Sequence, residues 1–151
     1  MMPSAPPPET QPVTLECVVA VSQRYRVPIE IIAGILAQEH GQLGQKMPNR
    51  NGTYDMGPMQ VNSFWLPFLH HYGVGESHML RHGCYNVAVG AWIVRYEQAR
   101  KNSDIWQAVG RYHSPNPSLA ASYALRVAGK VRDILDGKSS LQNILQYANG
   151  E

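Results

Sequence analysis

Glu39 lies seven residues after Ile32, four after Ile35 and three after Leu36, so a helix through this stretch turns its carboxyl toward the face that the isoleucines bury. Burial without a cationic neighbour disfavours the carboxylate and raises its pKa, toward the range where a glutamic acid still donates a proton near neutrality. Cleavage of a glycosidic bond needs such an acid. Periodicity alone equally permits a glutamate at a helix end that reaches solvent past Gly41. Gln60, on a turn-rich stretch, offers an amide that could bond a sugar acetamide or hydroxyl, or merely stabilise its own turn. Tyr112 shares an apolar face with Ile105 and Val109, which points to packing, and Met59 reads as the floor of a cleft. Trp65, Trp92 and Trp106 have the choice of stacking on sugars or packing between helices.

The elements that must position these groups are mainly helical. Thr14 caps a first helix that runs to about Arg26 and aligns Val18, Val21 and Tyr25. Val27-Pro28 opens a second, with Gly41 and Gly44 as terminators. Residues 45–62 hold Pro48, Asn49, Asn51, Gly52, Gly57 and Pro58, a loop with room for a small hairpin. Ser63 then caps a short helix to Gly73, and a polar link leads to Cys84. A helix follows from Cys84 to about Lys101, another is capped by Asp104, and Ser114-Pro115-Asn116-Pro117 breaks it. Ser118 starts the last long helix, with Ala124, Val127, Val131 and Ile134 inward and Gly137 as its stop.

With 151 residues and 44% hydrophobic content, one domain with an ordinary core is expected. Three parts are read: a flexible proline-rich segment over 1–13, the domain over 14–137, and a tail or short helix over 138–151. Thirteen basic against 11 acidic side chains, with no basic stripe, argue against nucleic acid as a partner. No apolar run approaches the roughly 20 residues that span a bilayer. His70, His71, His78, His82 and Cys84 crowd one segment but complete no metal-ligand set, and neither metal nor cofactor is expected. Cys17 and Cys84 are either one disulfide or two buried thiols, depending on the compartment.

Four segments occur in an order that resembles one family. They are the helix Ile31 to Glu39; the turn Gly57-Pro58-Met59-Gln60 followed by Val61-Asn62; the helical stretch Asn86-Val87-Ala88-Val89-Gly90; and Arg111-Tyr112-His113. From about Cys17 to Val131 the chain resembles the lytic transglycosylases with a goose-type lysozyme fold. Two positions depart from that pattern: His40 follows the glutamate where serine is usual, and His113 stands where asparagine is usual. The run Tyr-His-Ser-Pro, with Gly-Thr-Tyr-Asp ahead of the turn and a cysteine in the first helix, is most similar to the subgroup associated with conjugation, secretion and pilus machines.

The resemblance implies a mainly α, lysozyme-like fold with a loop or small β-hairpin beside the active-site cleft. It implies cleavage of the β-1,4 bond between N-acetylmuramic acid and N-acetylglucosamine in peptidoglycan, giving 1,6-anhydro products. Glu39 would act as acid and then as base, with substrate contacts from Tyr54, Met59, Gln60, Asn62, Tyr112 and His113. The hydroxyl of Tyr112 would be aimed at the sugar or at Glu39. Asp55, the only other acidic residue between Gly52 and Asn62, would support catalysis beside the cleft; alternatively it is a turn aspartate bonded to its own backbone near Gly57. The implied setting is the periplasm, with the export signal absent from this chain, a Cys17–Cys84 disulfide, a monomer, and secretion, conjugation or pilus proteins as partners. Two other functions stay open: a hydrolytic lysozyme using Glu39 and Asp55, and a non-catalytic wall-binding module.

Overall fold

The computed structural model describes residues 9–151. Of the segment expected to be flexible, residues 1–8 lie outside the described residues. The expectation does not hold for Gln11 to Val13, which are tied down. Gln11 N–H donates to the Arg81 carbonyl and Gly83 N–H to the Gln11 carbonyl, both at 2.8 Å. Val13 is buried and exchanges two hydrogen bonds with the Asn149 side chain, at 2.7 and 2.9 Å, so the two ends of the domain meet.

The domain is mainly α, with a small antiparallel sheet, as the sequence led one to expect. Helix α1 (Leu15–Tyr25) starts where the Thr14 hydroxyl accepts the Cys17 N–H and stops at left-handed Arg26. Helix α2 (Ile29–Glu39) is the central one: all six residues from Ile31 to Leu36 are buried, because α1, α7 and α8 surround it. Left-handed His40 ends it directly after Glu39. The turn-rich stretch forms β1 (Lys46–Pro48), β2 (Tyr54–Met56) and β3 (Val61–Asn62), ordered β1-β2-β3 and antiparallel throughout.

A 3₁₀ turn (Ser63–Trp65) leads into α3 (Leu66–His70). Its cap is Asn62, whose Oδ1 accepts the Phe64 N–H, and not Ser63. The expected polar link to Cys84 contains a helix, α4 (Glu76–Arg81), because one fully buried side chain, Met79, anchors it to the core. Helices α5 (Gly83–Lys101) and α6 (Ile105–His113) follow, the second with a reciprocal Asp104/Gln107 cap. Helix α7 (Pro117–Leu135) begins one residue before Ser118. Asn116 Oδ1 accepts the Ser118 and Leu119 N–H groups, and Pro117, which has no N–H to lose, takes the first position. Its inward row is Ala120, Tyr123, Val127 and Val131; Ala124 and Ile134 are only half-buried. Helix α8 (Leu141–Ala148) closes over α2 through Leu145 and Ala148.

Packing runs α1 on α5, α5 on α6, α6 on α7 and α7 on α2, so α2 is presented to one wall of the domain with its last turn at the edge of a groove. A Cys17–Cys84 disulfide links α1 to α5. Because it closes a loop with a separation of 67 residues, its reduction is expected to destabilise the fold by about 2–4 kcal/mol in the chain-entropy picture. Urea unfolding with and without reductant measures this, and superimposable curves would show that the bond contributes nothing.

Candidate active site

Glu39 closes α2 and faces a groove of about 1270 Å³. The residue as a whole is half-buried, yet its carboxyl end is sufficiently enclosed that its pKa rises from 4.5 to about 7. Burial is the main cause. A hydrogen bond from Tyr123 opposes it, the Asp55 charge adds to it and the Arg126 charge opposes it. The Tyr123 hydroxyl donates to Glu39 Oε1 at 3.1 Å. Burial, then the adjoining Glu39, push the Tyr123 phenol far above its ordinary pKa, so it is a proton-bearing donor under all relevant conditions.

Tyr123 was not among the residues selected from the sequence. Its only signal is that Tyr123, Val127 and Val131 recur every four residues, a row headed by a hydroxyl. His113 stacks on the Tyr123 ring at 4.7 Å and Arg126 lies over it at 5.8 Å; of the two, His113 lines the groove. Burial and then Arg126 lower the His113 pKa, against a smaller opposing effect of Asp55.

The sheet supplies the opposite side. Asp55 and Tyr54 are neighbours on β2 and therefore point to opposite faces. Asp55 lines the groove, with Oδ1 accepting from Asn62 Nδ2 at 3.0 Å and Oδ2 from Asn49 Nδ2 at 3.3 Å. Its bonding partners are thus two amide side chains and not its own backbone near Gly57. Tyr54 does not line the groove. The Lys46 ammonium sits 4.6 Å from its ring centre and 3.5 Å from Glu76 Oε1, and the Glu76 carboxylate beside the hydroxyl raises the phenol pKa while its own is lowered. Tyr54 fastens the sheet to α4, a different place from the sugar contact that the resemblance implied.

Between sheet and helices runs the turn Gly57 to Gln60. Gly57 has φ 66°, and a Cβ there would lie 2.5 Å from Asn86 Nδ2, so both conformation and space demand glycine. Gln60 Nε2 donates to the Gly57 carbonyl at 3.0 Å; the amide serves the turn while also lining the groove. The Met59 side chain is fully buried against Gly90 and offers the groove no surface. Its carbonyl matters more, because it accepts the Tyr112 hydroxyl at 2.5 Å. The Tyr112 proton is thereby directed to the backbone and not to Glu39.

The rest of the groove is an aromatic wall. Phe64, Trp65, Phe68, Trp92 and Tyr96 line it, with Trp92 stacked on Phe68 at 5.0 Å and on Tyr96 at 5.2 Å. Trp65 and Trp92 thus combine packing with exposure to the groove; Trp106 is outside its lining. Cys84 is consumed by the disulfide, and among the described residues no three metal-binding side chains gather. No described helix is long and apolar enough to cross a membrane.

No family model matches the chain. It is similar to the invasion protein IagB of Salmonella typhimurium, 29% identical over 120 residues that make up 77% of this chain and 72% of IagB. It is also similar to protein IpgF of Shigella flexneri, 29% identical over 100 residues, which are 66% of this chain and 65% of IpgF.

Proposed function

We propose that this protein is a peptidoglycan lytic transglycosylase. The observation that carries the reading is Glu39: a carboxyl with a pKa of about 7, at the end of a buried helix, opening on a groove large enough for several sugar rings. In this reading Glu39 transfers its proton to the glycosidic oxygen as the bond to N-acetylmuramic acid C1 breaks, freeing the 4-hydroxyl of N-acetylglucosamine. The resulting carboxylate takes the proton of the muramic C6 hydroxyl, whose oxygen bonds C1, giving the 1,6-anhydro ring and restoring the acid. No water is consumed, so one titrating carboxyl suffices. The Tyr123 hydroxyl holds Glu39 Oε1 through both halves of the cycle.

Asp55 has both carboxylate oxygens occupied by amides, which supports a role in charge stabilisation or sugar orientation and disfavours one as a water-activating base. Digestion of purified sacculi with mass spectrometry of the fragments tests the reading. Wild-type protein is expected to release 1,6-anhydro ends, and Asp55→Asn to release the same ends about 10–100-fold more slowly. Reducing ends from the wild type would instead indicate the hydrolytic lysozyme with Asp55 as partner, and no fragments the wall-binding module. The periplasm is the proposed site of action, supported by the Cys17–Cys84 bond, which an oxidising compartment maintains. Local opening of the wall for a secretion, conjugation or pilus apparatus is the proposed role. Its support is the resemblance of the motifs and a relative named for invasion.

A further inference from the structure

Beyond the sugar-cleaving machinery, the same groove has a cationic arm. Trp92, Tyr96 and Arg100 follow one another at four-residue spacing along α5, so they form a single row on the groove side of that helix. The row passes from stacked rings to a guanidinium. Beside it Glu97 is buried and shared: Arg100 Nη2 reaches its Oε2 at 2.7 Å and Arg111 Nε lies 3.7 Å from the same atom. Two guanidiniums thus face one carboxylate, and the arm keeps one uncompensated positive charge. Arg111 is anchored, since its Nη2 donates to the Glu97 carbonyl and to Ser103 Oγ. Arg100 is the accessible member, with 38% of its side chain exposed and only Nη2 engaged among the described residues.

We infer that this arm is a carboxylate-binding subsite for the peptide stems of peptidoglycan, and that the protein prefers peptide-bearing strands to bare glycan. The inference rests on the proposed glycan substrate. In the intact polymer the lactyl carboxyl of N-acetylmuramic acid is tied up as the amide to the stem, so the glycan itself is neutral and the stem is the part that carries carboxylates. The planar fork of Arg100 matches a carboxylate with two parallel N–H donors. The flat faces of Trp92 and Tyr96 suit the apolar side chains of a short peptide leading to it.

The test uses soluble glycan strands freed from sacculi by an endopeptidase with their stems attached, and the same strands stripped of stems by an amidase and capped as methylamides at the freed lactyl carboxyls. Wild-type protein is expected to cleave the intact strands faster, and Arg100→Gln to lower the intact-to-stripped rate ratio by about tenfold, the scale of one charge-assisted contact. Arg100→Lys keeps the charge without the fork and is expected to lie between them. Binding provides a second readout: immobilised Glu39→Gln protein should retain more of the stem-bearing than of the stripped strands, and adding Arg100→Gln should narrow that difference. An unchanged ratio in both assays overturns the subsite, including the case where Arg100→Gln slows both substrates equally. If the wild type cleaves neither substrate, the lytic reading fails on its own, and strand retention still decides this inference.

Discussion

Glu39→Gln is expected to reduce the release of fragments from sacculi by about 10²- to 10⁴-fold while the protein remains folded. The amide keeps the shape of the side chain and an oxygen to accept the Tyr123 hydroxyl, but it has no proton to transfer to a leaving oxygen. Its stability effect has a definite sign. In the folded protein Glu39 titrates at about 7, against 4.5 ordinarily, so between these values the native state holds a proton that the unfolded chain has released. The favourable contribution of that proton is complete below pH 4.5 and is lost as the pH rises through 7. The whole loss is at most about 3 kcal/mol. Glu39→Gln does not titrate, so it should equal or exceed wild type in stability at pH 8 and lose that advantage by pH 4.5. Denaturant midpoints across this range measure it. Wild-type turnover in the variant would remove Glu39 from the chemistry, and a pH-independent stability difference would remove the raised pKa.

How much of this was legible beforehand depended on how local the determining interactions are. Helices α1, α2, α5 and α6 announce themselves through apolar periodicity and capping residues, and Glu39 through its place in that period. Helix α4 was hidden because its stability comes from one buried residue, Met79, in an otherwise polar stretch. The opposite fates of Tyr54 and Asp55 follow from strand alternation, which three-residue strands are too short to display as a pattern. Tyr123 reaches Glu39 across 84 positions, a contact that only the α2 on α7 packing creates. Met59 was assigned to the right turn with the wrong group: its side chain belongs to the core, and its carbonyl does the positioning.

Asn86→Ala is expected to cost about 3–6 kcal/mol, a large part of the roughly 5–15 kcal/mol that holds a domain of this size together. Asn86 is fully buried on α5 and has three partners, all backbone groups. Its Oδ1 accepts the Met59 N–H at 2.8 Å, and its Nδ2 donates to the Met56 and Met79 carbonyls, both at 2.9 Å. Alanine leaves two carbonyls and one N–H without a partner where water does not enter, at about 1–3 kcal/mol each before relaxation. Two elements that lack a hydrophobic core of their own, the small sheet and α4, are both hydrogen-bonded to α5 through this amide. The damage should therefore concentrate at the groove. Met59 also holds the Tyr112 hydroxyl, so loosening its N–H frees the turn that carries Gln60 and displaces Tyr112 from the groove wall. Asn86→Asp is expected to fare no better, because it retains the acceptor for Met59 but turns a carboxylate toward two carbonyl oxygens. Urea midpoints give the stability loss, and hydrogen exchange at Met59 locates it. A change below about 1 kcal/mol, or exchange at Met59 as slow as in the wild type, would show that the turn is held by other contacts.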